Sequence, residues 1–147
     1  MTNNPEYLNI KLLRATSKPP VKAYLHDAGF DVFSDEPDFI IGRQERKKIR
    51  LGFAMEIAPD WCALIQEKSG MAVNHGILTI GNVIDCNYRG ECHAVILCTD
   101  LSVVIKHGQK VAQMLIIPCY TGQTIRIVTK LSETFRRDKG FGSSGKE

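Results

Sequence analysis

The sequence predicts an all-β fold in a single domain, from three observations. Helical periodicity is nearly absent. Short apolar or alternating runs take its place. Turn residues interrupt those runs at short intervals. Many short strands with regular turn signals argue a sandwich, a barrel or a jelly roll. At 147 residues, the chain is long enough to bury a core without disulfide or metal staples.

Taken in order, the runs are "LNIKLL" from Leu8, "FII" from Phe39, "KKIRLGFAMEI" from Lys47 and "CALIQE" from Cys62, then "CHAVILC" from Cys92, "SVVIK" from Ser102, "VAQMLIIP" from Val111 and "TIRIVTK" from Thr124. Each has the length and the β-branched or alternating character of a strand with one face in a core. Between them lie "DAG" at Asp27, "PD" at Pro59, "NHG" at Asn74, "NYRG" at Asn87 and "KHGQK" at Lys106, residues that favour turns. Only "SGMAVNHG", Ser69 to Gly76, can hold a helical turn or two. There is no repeat and no second domain. The one compositional break comes after Arg136, in "RRDKGFGSSGKE".

Apolar residues make up 44% and charged residues 24%, the balance of a globular chain. No apolar run reaches the ~18 residues of a membrane span. The N-terminus "MTNNPEYLNI" lacks the basic start and apolar stretch of a signal peptide. The expected location is therefore cytoplasmic, or nuclear in a eukaryotic host, and not secreted. Net charge is +3, and "RQERKKIR", Arg43 to Arg50, holds five positive side chains and one glutamate. A nucleic-acid binder shows a broader basic surface with aromatics interleaved. This run reads instead as a solvated edge strand whose charges discourage edge pairing. Cys62, Cys86, Cys92, Cys98 and Cys119 are odd in number and form no CxxC, the pattern of reduced thiols. His26, His75, His93 and His107 share no zinc-like spacing with them.

Five stretches look unlike generic strand or turn. They are "DAGFDVFS" (27–34), "EKSGMAVNHG" (67–76), "GNVIDCNYRGECHAVIL" (81–97), "GQKVAQMLI" (108–116) and the tail. Each alone is a weak signal. In this order and spacing they resemble the five motifs of the trimeric dUTPase family, from about Asp27 to Gly145. The third and fifth are the most specific: Ile-Asp-x-x-Tyr-Arg-Gly, then some fifty residues later Arg-x-x-x-Gly-Phe-Gly-Ser-Ser-Gly. The resemblance implies a jelly-roll-like β-barrel over 1–135, with at most one short helix, and a mobile C-terminal arm over 136–147 that closes over the site. It implies a homotrimer with active sites shared between subunits. It also implies Mg²⁺-assisted hydrolysis of dUTP to dUMP and pyrophosphate, which limits uracil in DNA and supplies dUMP for dTMP synthesis.

That reaction needs a water aimed at the α-phosphorus, a positioned triphosphate and charge neutralisation. By resemblance, Asp85 is the general base; a carboxylate at a turn between strands can be held rigidly toward one water. Tyr88 is the floor beneath the deoxyribose, rejecting a 2′-hydroxyl by exclusion. The hairpin carrying Asn82, Val83 and Ile84 holds the uracil through backbone groups, so cytosine leaves mismatched groups buried. Lys68, Ser69 and Gly70 form a phosphate turn, supplying charge, a hydroxyl donor and close backbone approach. Gln113 faces phosphate or metal-bound water. Asp31 supports the waters of a Mg²⁺ held mainly by the triphosphate. In the arm, Phe141 stacks on uracil for ~1–3 kcal/mol, Arg136 reaches the γ-phosphate, and Gly142, Ser143 and Ser144 close around the phosphates as a lid.

The chain departs from the family pattern at Asn82, Cys86, Asn87, Glu67 and Arg137, none of which removes a catalytic group. Two alternatives share the fold. A dCTP deaminase-like enzyme needs a second acid beside Asp85, and the motifs offer none. A dUTP-gated regulatory binding protein would carry an insertion, and the stretch between Ile116 and Arg136 is too short for a large one.

Overall fold

The computed structural model describes residues 8–122 and 125–135. Its elements are β1 (Asn9–Leu12), β2 (Phe30–Phe33), β3 (Phe39–Gly42), β4 (Arg46–Arg50), β5 (Phe53–Glu56), β6 (Trp61–Gln66), α1 (Ser69–His75), β7 (Ile77–Ile80), β8 (Val83–Ile84), β9 (His93–Cys98), β10 (Ser102–Ile105) and β11 (Lys110–Pro118). The chain is all-β, and the short helix falls where "SGMAVNHG" anticipates it, ending on Gly76 in the left-handed conformation. That helix is not long and apolar enough to cross a membrane.

The strands fall into four antiparallel sheets, in the orders β1-β5, β10-β3, β2-β11-β6-β8 and β4-β9-β7. They wrap one core, and the ladder does not close into a continuous barrel. The strands are short, and turns and bulges break the pairing, as where the β11–β2 register shifts between Lys110 and Ala112. The run "KKIRLGFAMEI" makes two strands rather than one. Gly52, at φ +77°, separates β4 from β5, and a Cβ there would collide with Ser17 and Asp35. β4, the basic strand, lies at a sheet edge as its charge pattern predicts. Its Lys47 ammonium stacks 4.0 Å from the centroid of the Phe39 ring.

The core explains the alternation. β9 buries Ala94, Ile96 and Cys98 and turns His93, Val95 and Leu97 outward. Phe53, Ile41, Ile49, Leu51, Ile65, Ile77, Ile96, Ile105 and Met114 are fully buried. Each such side chain contributes roughly 1.5–3 kcal/mol of burial. Burial also pushes the Cys92 thiol up to about 12, so it stays protonated.

One expected strand is missing. "TIRIVTK" forms none among its described residues, and Ile125 and Ile127 are 87% and 95% exposed. An alternating run becomes a strand only against an open edge, and among the described residues the segment pairs with none.

Candidate active site

The four-stranded sheet carries the site residues on successive strands. On β2, Asp31 faces Gln113 of β11, and Gln113 faces Gln66 of β6. Directly after Gln66 come Glu67, Lys68 and the start of α1. The structure therefore brings Asp31, Gln113, Lys68, Ser69 and Gly70 to one end of the sheet.

At that end the polar groups hold one another. Lys68 Nζ lies 2.7 Å from Asp31 Oδ1 in a hydrogen-bonded ion pair. Lys110 Nζ lies 2.7 Å from Oδ2 in a second ion pair. Asp31 is 6% exposed. Burial pushes its carboxyl up, but the two lysines outweigh burial and hold it below the usual aspartate range. Gln113 Nε2 donates to the Glu67 carbonyl at 2.9 Å, so this amide braces the turn. The Glu67 carboxylate in turn lies 3.1 Å from the Thr79 hydroxyl. Ser69 and Gly70 are exposed at the first turn of α1.

The segment from Gly81 to Tyr88 builds the second half. Among the described residues β8 pairs with β6 and not with β7 or β9, so the hairpin expected around 82–84 is replaced by a strand added to the four-stranded sheet. β8 pairs with β6 through Ala63↔Ile84 and Leu64↔Val83, and the Ile65 N–H donates to the Asn82 carbonyl at 2.9 Å. Asp85 leaves β8 into a turn closed by Tyr88 N–H to the Asp85 carbonyl at 3.1 Å. A cavity of about 210 Å³ follows, lined by Gly81, Val83, Ile84, Asp85, Tyr88, Glu91, Cys92, His93 and Val95. Asp85 is exposed at its edge. The Tyr88 hydroxyl donates to the Glu91 carbonyl at 3.1 Å, and the ring folds over Gly90, where a Cβ would overlap it. His93 Nδ1 also lies 2.8 Å from the Glu91 carbonyl. A carbonyl only accepts, so Nδ1 carries the proton in that bond. Asn82 Oδ1 is buried with no hydrogen-bond partner among the described residues.

Within one chain the two halves do not meet. Continuing the β6–β8 register sets Asp85 beside Cys62, six residues before Lys68. At ~3.3 Å per residue the separation along β6 is on the order of 20 Å. Arg136, Phe141, Gly142, Ser143 and Ser144 lie outside the described residues. Glu91 and His93 are cavity residues that lie within the third motif stretch but carry no assigned role there. The signal available was the outward alternation of β9, which places His93 and Val95 on one face.

No group of three His, Cys, Asp or Glu side chains among the described residues could hold a metal ion. The donor set fits an ion carried by a substrate's phosphates instead. Asp31 is a buried carboxylate beside the start of α1, and it already attracts two cations.

A family model described as dUTPase matches residues 16–145. The chain is 37% identical over 142 residues to a deoxyuridine 5'-triphosphate nucleotidohydrolase of Clostridium tetani, covering 95% of this chain and 97% of that protein. Among solved structures, the Staphylococcus bacteriophage 80alpha dUTPase with dUPNHPP matches with a TM-score of 0.86 at 25% identity, covering 96% of this chain and 99% of that one. A variant of the dUTPase from phage phi11 of S. aureus, described with a structural Mg(II) ion, shares the fold with a TM-score of 0.79 at 22% identity, covering 86% and 99%. With its motifs in register and a family match over most of its length, the chain belongs to the dUTPase family.

Proposed function

We propose that this chain hydrolyses dUTP to dUMP and pyrophosphate. The observation that carries the reading is the cavity that joins Asp85 and Tyr88 to Gly81, Val83 and Ile84. Backbone groups of Asn82, Val83 and Ile84 pair with the uracil, Tyr88 lies under the deoxyribose, and Asp85 takes the proton of the attacking water. The Asp31, Lys68, Ser69, Gly70 and Gln113 end binds the triphosphate, with Lys68 turning from Asp31 to phosphate oxygen. A Mg²⁺ ion brought in on the triphosphate would supply charge neutralisation for the leaving pyrophosphate. Asp31, freed of one lysine, supports that ion's waters.

The separation of ~20 Å along β6 supports a site assembled from more than one copy, as in a homotrimer. Asp85 and Tyr88 then come from one subunit and the phosphate turn from its neighbour. The arm residues Arg136, Phe141, Gly142, Ser143 and Ser144 keep the lid role that the family resemblance implies.

The experiment is pyrophosphate release from dUTP, dCTP, dTTP and UTP with Mg²⁺. Rapid turnover of dUTP alone is expected. Comparable turnover of dCTP or UTP contradicts the reading. Truncation before Arg136 is expected to leave a folded protein with poor turnover, and full activity after truncation removes the lid.

A further inference from the structure

Tyr88 is 45% exposed, so packing alone does not fix its ring. A floor that rejects a substrate by exclusion must be rigid, or the extra hydroxyl simply pushes it aside. What anchors the ring is its hydroxyl bond to the Glu91 carbonyl. The peptide unit of that carbonyl is held on one side by the Cys92 N–H, which donates to the Phe53 carbonyl at 2.8 Å, and His93 Nδ1 bonds the carbonyl itself; the remaining hold is on the Glu91 side chain.

Glu91 is gripped by a residue seventy-seven positions away. Arg14 NH1 donates to Glu91 Oε1 at 2.7 Å, and NH2 to Oε2 at 2.8 Å, a two-pronged pair. The same guanidinium donates to Asp35 Oδ2 at 2.8 Å. Asp35 is itself buried and accepts from the Ser17 hydroxyl at 3.1 Å. Arg14 therefore ties the 85–92 loop to the interior through the segment after β2. The Arg14 fork also holds the Glu91 carboxyl below the usual carboxylate range.

We propose that Arg14 is a positioning residue for sugar selection: its fork on Glu91 fixes the carbonyl that anchors the Tyr88 ring. The inference rests on Tyr88 being the deoxyribose floor. Arg14 touches no substrate and acts only through Glu91. The pair links two loops that the motif pattern treats as unrelated.

The test uses the full chain as wild type, Arg14→Ala, Arg14→Lys, Tyr88→Phe and the Arg14→Ala/Tyr88→Phe double variant. Each is measured for kcat/KM on dUTP and on UTP, and for its melting midpoint. A purely structural loss lowers both substrates together and leaves their ratio alone. Arg14→Ala is expected to lower the dUTP-to-UTP ratio about tenfold. Tyr88→Phe, which removes only the anchoring hydroxyl, is expected to do the same, and the double variant no worse than either single. Arg14→Lys keeps the charge without the fork and is expected to lower the ratio about threefold; it decides the matter if Arg14→Ala does not fold. An unchanged ratio in the folded Arg14 variants, with Tyr88→Phe relaxed, overturns the role of Arg14 and leaves the Tyr88 reading standing. A wild type that accepts UTP as readily as dUTP overturns the Tyr88 reading, and this inference with it.

Discussion

Lys68 and Asp31 are bonded to each other, Nζ to Oδ1 at 2.7 Å, on a carboxylate that Lys110 holds from the other side at 2.7 Å. A residue assigned to phosphate and a residue assigned to metal support are thus a single charge cluster. Its carboxyl is held below the ordinary value of 3.8. The stabilisation it brings is therefore complete above that value and fades as pH falls through the lower, folded one.

Asp31→Asn is accordingly expected to cost about 1–3 kcal/mol near neutral pH, a range reduced for two lysines that remain partly exposed. Urea titrations at several pH values check it. The gap between wild type and variant should narrow below about pH 4. A gap that widens on acidification contradicts the sign.

Asp85 is exposed at its turn, so Asp85→Asn should leave stability within about 0.5 kcal/mol. Turnover should drop by about 10²–10⁴ while nucleotide affinity persists. Calorimetric binding beside a pyrophosphate assay separates the two. Loss of binding equal to loss of rate would mean that Asp85 is a ligand and not a base.

Opposite ends of β6 make a subunit-mixing test available. Asp85→Asn and Lys68→Ala chains, each inactive alone, are unfolded together and refolded at equal ratio. If one site draws Asp85 and Lys68 from different copies, roughly a quarter of sites regain both groups by random assembly. Activity of the mixture no higher than that of either variant alone sinks the shared site.

Gly90→Ala places a methyl group where the Tyr88 ring now lies. The ring is the mobile partner, so it should move at a cost below about 1 kcal/mol. Rejection of UTP should weaken with the melting midpoint nearly unchanged. A crystal structure of the variant with Tyr88 undisplaced contradicts the close packing.

The sequence by itself determined the all-β class, most of the longer strands, the short helix and the order of the motifs; β7 and the split of "KKIRLGFAMEI" came only with the structure. Period-two alternation such as that of "CHAVILC" is a local property, and so is the Asp85–Tyr88 turn. Only the tertiary structure decided that Lys68 closes on Asp31, that Asp85 and Lys68 lie apart along β6, and that Arg14 grips Glu91. Those relations follow from which strand edges pair and in which register, a choice made by burying all the core faces at once. "TIRIVTK" shows the same limit: its alternation is legible in the residues, but a strand needs an edge to pair with, and the described residues of that segment pair with none.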